Sequence, residues 1–184
     1  MGSIIKVNEY KDFNNNDIMT SDGSGNITLS SVMKTAVGTT GVNSPAFEAY
    51  TDTTTSISND TATKMTFANT VYNDGSGWDT TNNKFQPTTA GKYYVYGCVE
   101  GYAGASTSLT DARPMIYKNG SMVRQTPFFF QDSRIRYGSF FIDGTYDLNG
   151  SSDYLELWFQ INSNDTQVVY EKYFGGYKIN ITGA

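Results

Sequence analysis

The 184 residues include no histidine. That removes a histidine general base, the Ser-His-Asp and Cys-His pairs, and every histidine metal ligand. Carboxylates, hydroxyls and one thiol remain. Asp153 and Glu156 could supply the two carboxylates of a glycosidase, but at a separation of three along an alternating strand they project to opposite faces and cannot share a cleft. Asp22-x-Ser24-x-Asn26 has the opening oxygen spacing of a calcium loop, yet Met33 stands where the closing Glu belongs. The segment reads instead as a Gly-rich turn, and the same Asp-Gly-Ser-Gly tetrad at Asp74 to Gly77 reads as a hairpin turn. Cys98 lies between Gly97 and Val99 with no activating histidine, so it reads as a buried structural thiol rather than a nucleophile. Phe128-Phe129-Phe130 with Arg134 and Arg136 pairs rings that stack on sugars with guanidinium groups that reach acids; a strand packed on both faces is the competing reading. Asn-x-Ser/Thr sequons at Asn26, Asn59, Asn119, Asn149, Asn164 and Asn180 are what an Asn- and Thr-rich chain yields by chance, and no glycosylation is expected. No catalytic residue, metal site or cofactor follows from these residues, and the chain is expected not to be an enzyme.

With reactive groups this sparse, the composition points to architecture. Gly, Asn, Thr and Ser make up 74 of the 184 residues, and aromatics 15%, led by 14 Tyr. Thr, Tyr and Phe favour strands while Gly and Asn favour tight turns, so the expectation is all-β. The net charge of −5 comes without a basic stripe, so nucleic acid is not an expected partner. No apolar run is long enough to span a bilayer as a helix, and no membrane insertion is expected. The N-terminus lacks a basic stretch followed by an apolar core, so no secretory signal is expected, and Lys6 occupies the position where myristoylation needs Ser or Thr. A single Cys excludes an internal disulfide, leaving packing and association to supply stability.

Two regions are expected. Residues 1–44 form an N-terminal attachment and trimerisation ribbon with its linker: short strand-like pieces at Ser3 to Tyr10, Asp17 to Thr20 and Asn26 to Val32, then Thr35 to Ser44 as linker. Such hairpins are marginal in water unless neighbouring chains supply the missing apolar partner. Residues 45–184 form the head. Asp153 to Asn162 places Leu155, Leu157, Phe159 and Ile161 on one face and Tyr154, Glu156, Trp158 and Gln160 on the other. Tyr93 to Val99 places Tyr93, Val95, Gly97 and Val99 opposite Tyr94, Tyr96 and Cys98, so neither face is polar and the strand must be central. Further strands are expected at Phe47 to Thr51, Thr63 to Phe67, Lys84 to Gln86, Met115 to Lys118, Met122 to Phe130, Arg136 to Ile142 and Tyr170 to Ile181. Eight to ten antiparallel strands without helix point to a β-sandwich or jelly roll. Its expected core comprises Phe47, Phe67, Phe85, Tyr93, Val95, Leu155, Leu157, Phe159 and Phe174.

The order of short motifs from Pro45 to Ile181 resembles the globular head domain of the complement first component's q subunit, whose jelly roll is shared with tumour necrosis factor. Pro45-Ala46-Phe47 is similar to that family's opening strand, Met65-Thr66-Phe67 with Tyr72-Asn73 to its apolar-x-Phe and x-Asn passage, and Trp78-Asp79 through Lys84-Phe85 to its aromatic-Asp and x-Phe. Ala90-Gly91-Lys92-Tyr93-Tyr94-Val95 resembles its Pro-Gly-x-Tyr-x-Phe, Lys118-Asn119-Gly120 its hairpin turn, and Phe174-Gly175-Gly176-Tyr177 its closing strand. Val95 replaces the usual Phe, Gly97 interrupts the same strand, and Leu148 to Asp153 departs from the Leu-x-x-Gly-Asp turn, so the family's loop-borne metal sites are not carried over. The resemblance implies a homotrimer in which one sheet of each protomer turns aromatic side chains toward its neighbours. The outward Tyr94, Tyr96 and Cys98 are accordingly the expected trimer interface.

Ile4-Ile5-Lys6-Val7-Asn8 followed by Ser21 to Thr28 is similar to the starts of small fibre and appendage proteins of tailed phages, especially from aquatic bacteria. This implies a virion structural protein, made in the host cytoplasm and displayed on the particle, with Ile4, Ile5 and Val7 at the attachment point. The expected partners are two further copies of the chain, other virion proteins, and a host-surface glycan or protein. A capsid decoration protein at threefold positions and a bacterial extracellular lectin-like or adhesive module are the two alternatives.

Overall fold

The computed structural model describes residues 9–30, 43–104, 109–131, 135–163 and 167–179. These fall in two compact units that meet in sequence at Val42/Asn43. Ile4, Ile5 and Val7, Arg134 and most of the expected linker lie outside the described residues.

The N-terminal unit is an antiparallel meander of β1 (Glu9–Lys11), β2 (Asp17–Ser21) and β3 (Ile27–Leu29). Its turns are built by two aspartates. Asp12 accepts from the backbone N–H of Asn14 and Asn16, each at 2.8 Å. Asp22 accepts from Ser24 N at 2.7 Å and Asn26 Nδ2 at 2.6 Å. The oxygens of the calcium-like spacing are therefore spent on closing a turn. None of the described residues of this unit is buried, and Tyr10, Phe13 and Ile27 are exposed.

The head contains β4 (Ala46–Thr51), β5 (Thr55–Ser56), β6 (Thr63–Lys64), β7 (Asn69–Asp74), β8 (Trp78–Asp79), β9 (Lys84–Phe85), β10 (Gly91–Ala103), β11 (Leu109–Lys118), β12 (Ser121–Gln125), β13 (Phe128–Phe129), β14 (Tyr137–Leu148), β15 (Leu155–Ser163) and β16 (Gln167–Ile179). The first sheet runs β14-β10-β16-β4-β7, with β5 on β16; the second runs β12-β11-β15-β9-β8, with β13 on β11 and β6 on β15. Every pairing is antiparallel, successive long strands cross between sheets, and the described residues contain no α-helix. This is a jelly-roll sandwich.

Turn chemistry sets the connections. Asn119 and Gly120 have φ of 52° and 77°, the left-handed pair that a two-residue hairpin between β11 and β12 requires. Asn73 carries the chain from the first sheet to the second by imitating a strand partner: its Nδ2 donates to Trp78 O at 3.0 Å and its Oδ1 accepts from Trp78 N at 2.9 Å. The single strand expected over Met122 to Phe130 is two, because Pro127 has no N–H to continue the ladder.

All nine expected core residues are buried between the sheets. Phe47 stacks on Phe85 at 4.3 Å and on Trp78 at 4.9 Å, and Phe174 meets it edge-on at 5.1 Å. Each such ring contributes roughly 1.5–3 kcal/mol by leaving water. Of the aromatic triplet, Phe128 and Phe130 pack toward Phe140 while Phe129 faces solvent, so most of it serves the core.

Candidate functional site

The two outer faces of the sandwich differ in chemistry. On the second sheet polar groups answer one another: Lys64 Nζ meets Glu156 Oε1 at 2.5 Å, Trp158 Nε1 donates to the same carboxylate at 3.0 Å, and Tyr117 stacks on Trp158 at 4.5 Å. Asp153 is held elsewhere, accepting from Asn119 Nδ2 at 2.7 Å and paired with Lys118 at 3.0 Å. Asp153 and Glu156 thus do not form a catalytic pair. Among the described residues no group of three or more acidic or Cys side chains could hold a metal ion.

The outer face of the first sheet is aromatic. Strand register puts Tyr94 beside Tyr177, Cys98 between Phe141 and Tyr173, and Tyr173 beside Tyr50. The tyrosines form a chain of ring contacts: Tyr94 to Tyr177 at 5.7 Å, Tyr94 to Tyr96 at 6.2 Å, Tyr96 to Tyr173 at 6.3 Å. Tyr96 has a neighbour without a side chain, Gly175, and its ring lies across that strand; a Cβ at Gly175 would sit 2.5 Å from the ring's Cζ and Oη. Crossing there lets the Tyr96 hydroxyl donate to Glu48 Oε2 at 2.7 Å. Tyr94 Oη donates to Asp143 Oδ2 at 2.9 Å. Burial, then the bonds to Tyr72 and Glu48, push the Tyr96 hydroxyl well above the usual tyrosine range.

Phe141 remains 56% exposed and Tyr50 41%, while the rims of Tyr94, Tyr96, Phe141 and Tyr173 enclose a cavity of about 470 Å³. At one end of the face Tyr102, Tyr137 and Tyr170 surround a second cavity of about 460 Å³ with Glu100 and Glu171, and Arg136 lies over Tyr102 at 5.1 Å. Tyr137 donates to Glu100, the principal reason its hydroxyl is pushed up to about 12.

Of the expected interface residues, Tyr94 and Tyr96 lie on this face. Cys98 lies on it too but is only 4% exposed, closed off within the single chain and hydrogen-bonded to Tyr173. Burial pushes its thiol up to about 11, which suits a structural role. The sequence reading missed Glu48, Tyr50, Tyr72, Phe141, Tyr173 and Tyr177. Alternation along β16, Tyr173-x-Gly175-x-Tyr177, was the available signal for three residues of the face.

No protein-family model and no curated protein matches the sequence. Solved structures do. The globular domain of zebrafish complement 1qA protein matches with a TM-score of 0.51 and 14% identity, over 75% of this chain and 99% of that one. Murine APRIL is also found, at a TM-score of 0.49 and 15% identity, over 73% of this chain and 98% of that one. The first likeness shows that the head shares the fold of the complement globular domain.

Proposed function

We propose that this chain is a non-enzymatic homotrimeric head module displayed on a virion, in which the aromatic face of the first sheet joins three copies and the N-terminal ribbon attaches to the particle. The observation that carries the reading is that face. A solitary sandwich would keep polar residues on the outer side of a central strand, whereas Tyr94, Tyr173, Tyr177, Tyr50 and Phe141 gather there. Tyrosine suits such a contact because the ring leaves water while the hydroxyl keeps a partner. A threefold axis uses one patch on every copy and brings three ribbons together. Exposed Tyr10, Phe13 and Ile27 give the meander apolar surface to bury against its copies. The distal surface then meets a host glycan, a host protein or another virion protein.

Light scattering on the full chain at micromolar concentration tests association: a mass near three times 20.3 kDa is expected, and a monomer ends the proposal. Immunogold labelling of purified particles tests display. Label on the tail or head fibres supports the appendage, label over the capsid lattice points to decoration, and label on neither removes the virion assignment.

A further inference from the structure

The inner faces of β4 and β16 do not stay apolar to their ends. Along β4 the core-facing positions run Phe47, Ala49, Thr51; along β16, Phe174 is followed two residues back by Lys172, which lies opposite Thr51 in register. Lys172 is 3% exposed, and among the described residues its Nζ has no hydrogen-bond partner. An ammonium in that position is uncompensated, and even the neutral amine leaves a buried polar atom unsatisfied. Burial alone lowers its pKa, with no carboxylate among the causes. Lys172 lines a cavity of about 280 Å³ together with Thr51, Thr53, Thr55, Thr66 and Phe67. Thr53, Thr55 and Thr66 are exposed at the mouth, whereas Thr51, Phe67 and Lys172 are buried at its floor.

We propose that this cavity is a binding site for a small oxyanion, with the Lys172 ammonium supplying the counter-charge and the threonine hydroxyls supplying further donors. The chemistry selects the ligand class. A cation is repelled by the ammonium, and an apolar ligand leaves Nζ unsatisfied. An oxyanion answers the charge and accepts from hydroxyls in the same act. The shared group is a phosphate or carboxylate, arriving either as free inorganic phosphate or as the acid function of a uronic sugar. The site faces the core side of the first sheet, so it does not depend on trimer formation through the opposite side.

The test is thermal unfolding of the full chain in sodium phosphate, sodium glucuronate or sodium chloride at matched ionic strength. Phosphate, glucuronate or both should raise the melting temperature above the chloride value, by about 5–11 °C at a hundredfold excess over Kd. Which salt acts identifies the source. Lys172→Met should abolish the shift while melting in chloride no lower than the parent, because it replaces an unpaired buried charge with an apolar chain of similar length. Should that variant fail to fold, calorimetric titration of Thr66→Val with the active salt should show affinity about fivefold weaker, the loss expected for one hydrogen bond. No shift beyond chloride, a full shift retained in Lys172→Met, or unchanged affinity in Thr66→Val overturns the assignment.

Discussion

Gly175 decides how the aromatic face is built. A β-carbon there would lie 2.5 Å from Tyr96 Cζ and Oη, so the ring could no longer cross β16 to reach Glu48. Gly175→Ala should cost roughly 1–3 kcal/mol of stability in urea unfolding, the range for forcing one group into a filled space. Tyr96→Phe keeps the ring and loses only the hydroxyl's bonds to Glu48 and Tyr72, so it should cost less than Gly175→Ala. A Gly175→Ala protein as stable as its parent would show that the ring does not depend on the gap. Cys98 permits a second check at this scale. Its thiol is pushed up to about 11 by burial, so the folded state binds the proton more tightly than the unfolded chain does. The associated stability is complete below the ordinary thiol range near 9 and is lost as pH rises toward 11. Alkylation by iodoacetamide at pH 8 should therefore be negligible in the native protein and rapid in urea, and modification of the folded chain at the unfolded rate would contradict the burial.

Strands and turns carry the next level. The turn from β14 to β15 hangs on Asn149, whose Oδ1 accepts from the backbone N–H of Ser151, Ser152 and Asp153, each at 3.0 Å. Asn149→Ala should lower stability by about 1 kcal/mol, since the turn is exposed and water replaces part of what is lost. Asp153 closes the same region. The Asn119 side chain and then Lys118 hold its carboxyl below the usual range, so its contribution is present above that range and fades as the pH falls through it. Elements of this kind were legible wherever one periodicity dominated. β15 alternates cleanly and β10 shows aromatic residues on both faces, so both could be placed, and their core positions named, from the sequence. Other elements hid their period. β14 continues to Leu148 through Asp143, Gly144 and Asp147, residues of low strand propensity that are held by pairing with β10 along its whole length. For the candidate face β10 and the Tyr173-x-Gly175-x-Tyr177 alternation of β16 carried a local signal, but joining them with the members on β4, β7 and β14 depends on strand order between crossovers, which is not written in local pattern. Lys172 escaped for a related reason: a lysine reads as surface, although it shares the inward parity of Phe174 and lies opposite Thr51.

At the scale of the whole molecule the proposed trimer rests on the aromatic face. Each ring removed from water contributes roughly 1.5–3 kcal/mol, and a threefold assembly repeats every such contact three times, so the face can more than offset the cost of association. Phe141 is the most informative position on it. It is 56% exposed, it projects away from the core, and it adjoins Asp143 across a cavity edge that also includes Arg124. Phe141→Glu leaves the interior packing untouched, yet it places a second carboxylate near Asp143 where a partner's apolar surface would have to exclude water. Burial of an unpaired charge is severely unfavourable. The variant should therefore elute and scatter light as a monomer of 20.3 kDa with the far-ultraviolet signature of the parent, while Phe129→Glu, a still more exposed change on the second sheet, should leave the oligomer intact. Loss of assembly in both variants would indicate a general response to added charge, and retention in both would move the interface away from the first sheet. Only the split outcome assigns the trimer to the tyrosine-lined face.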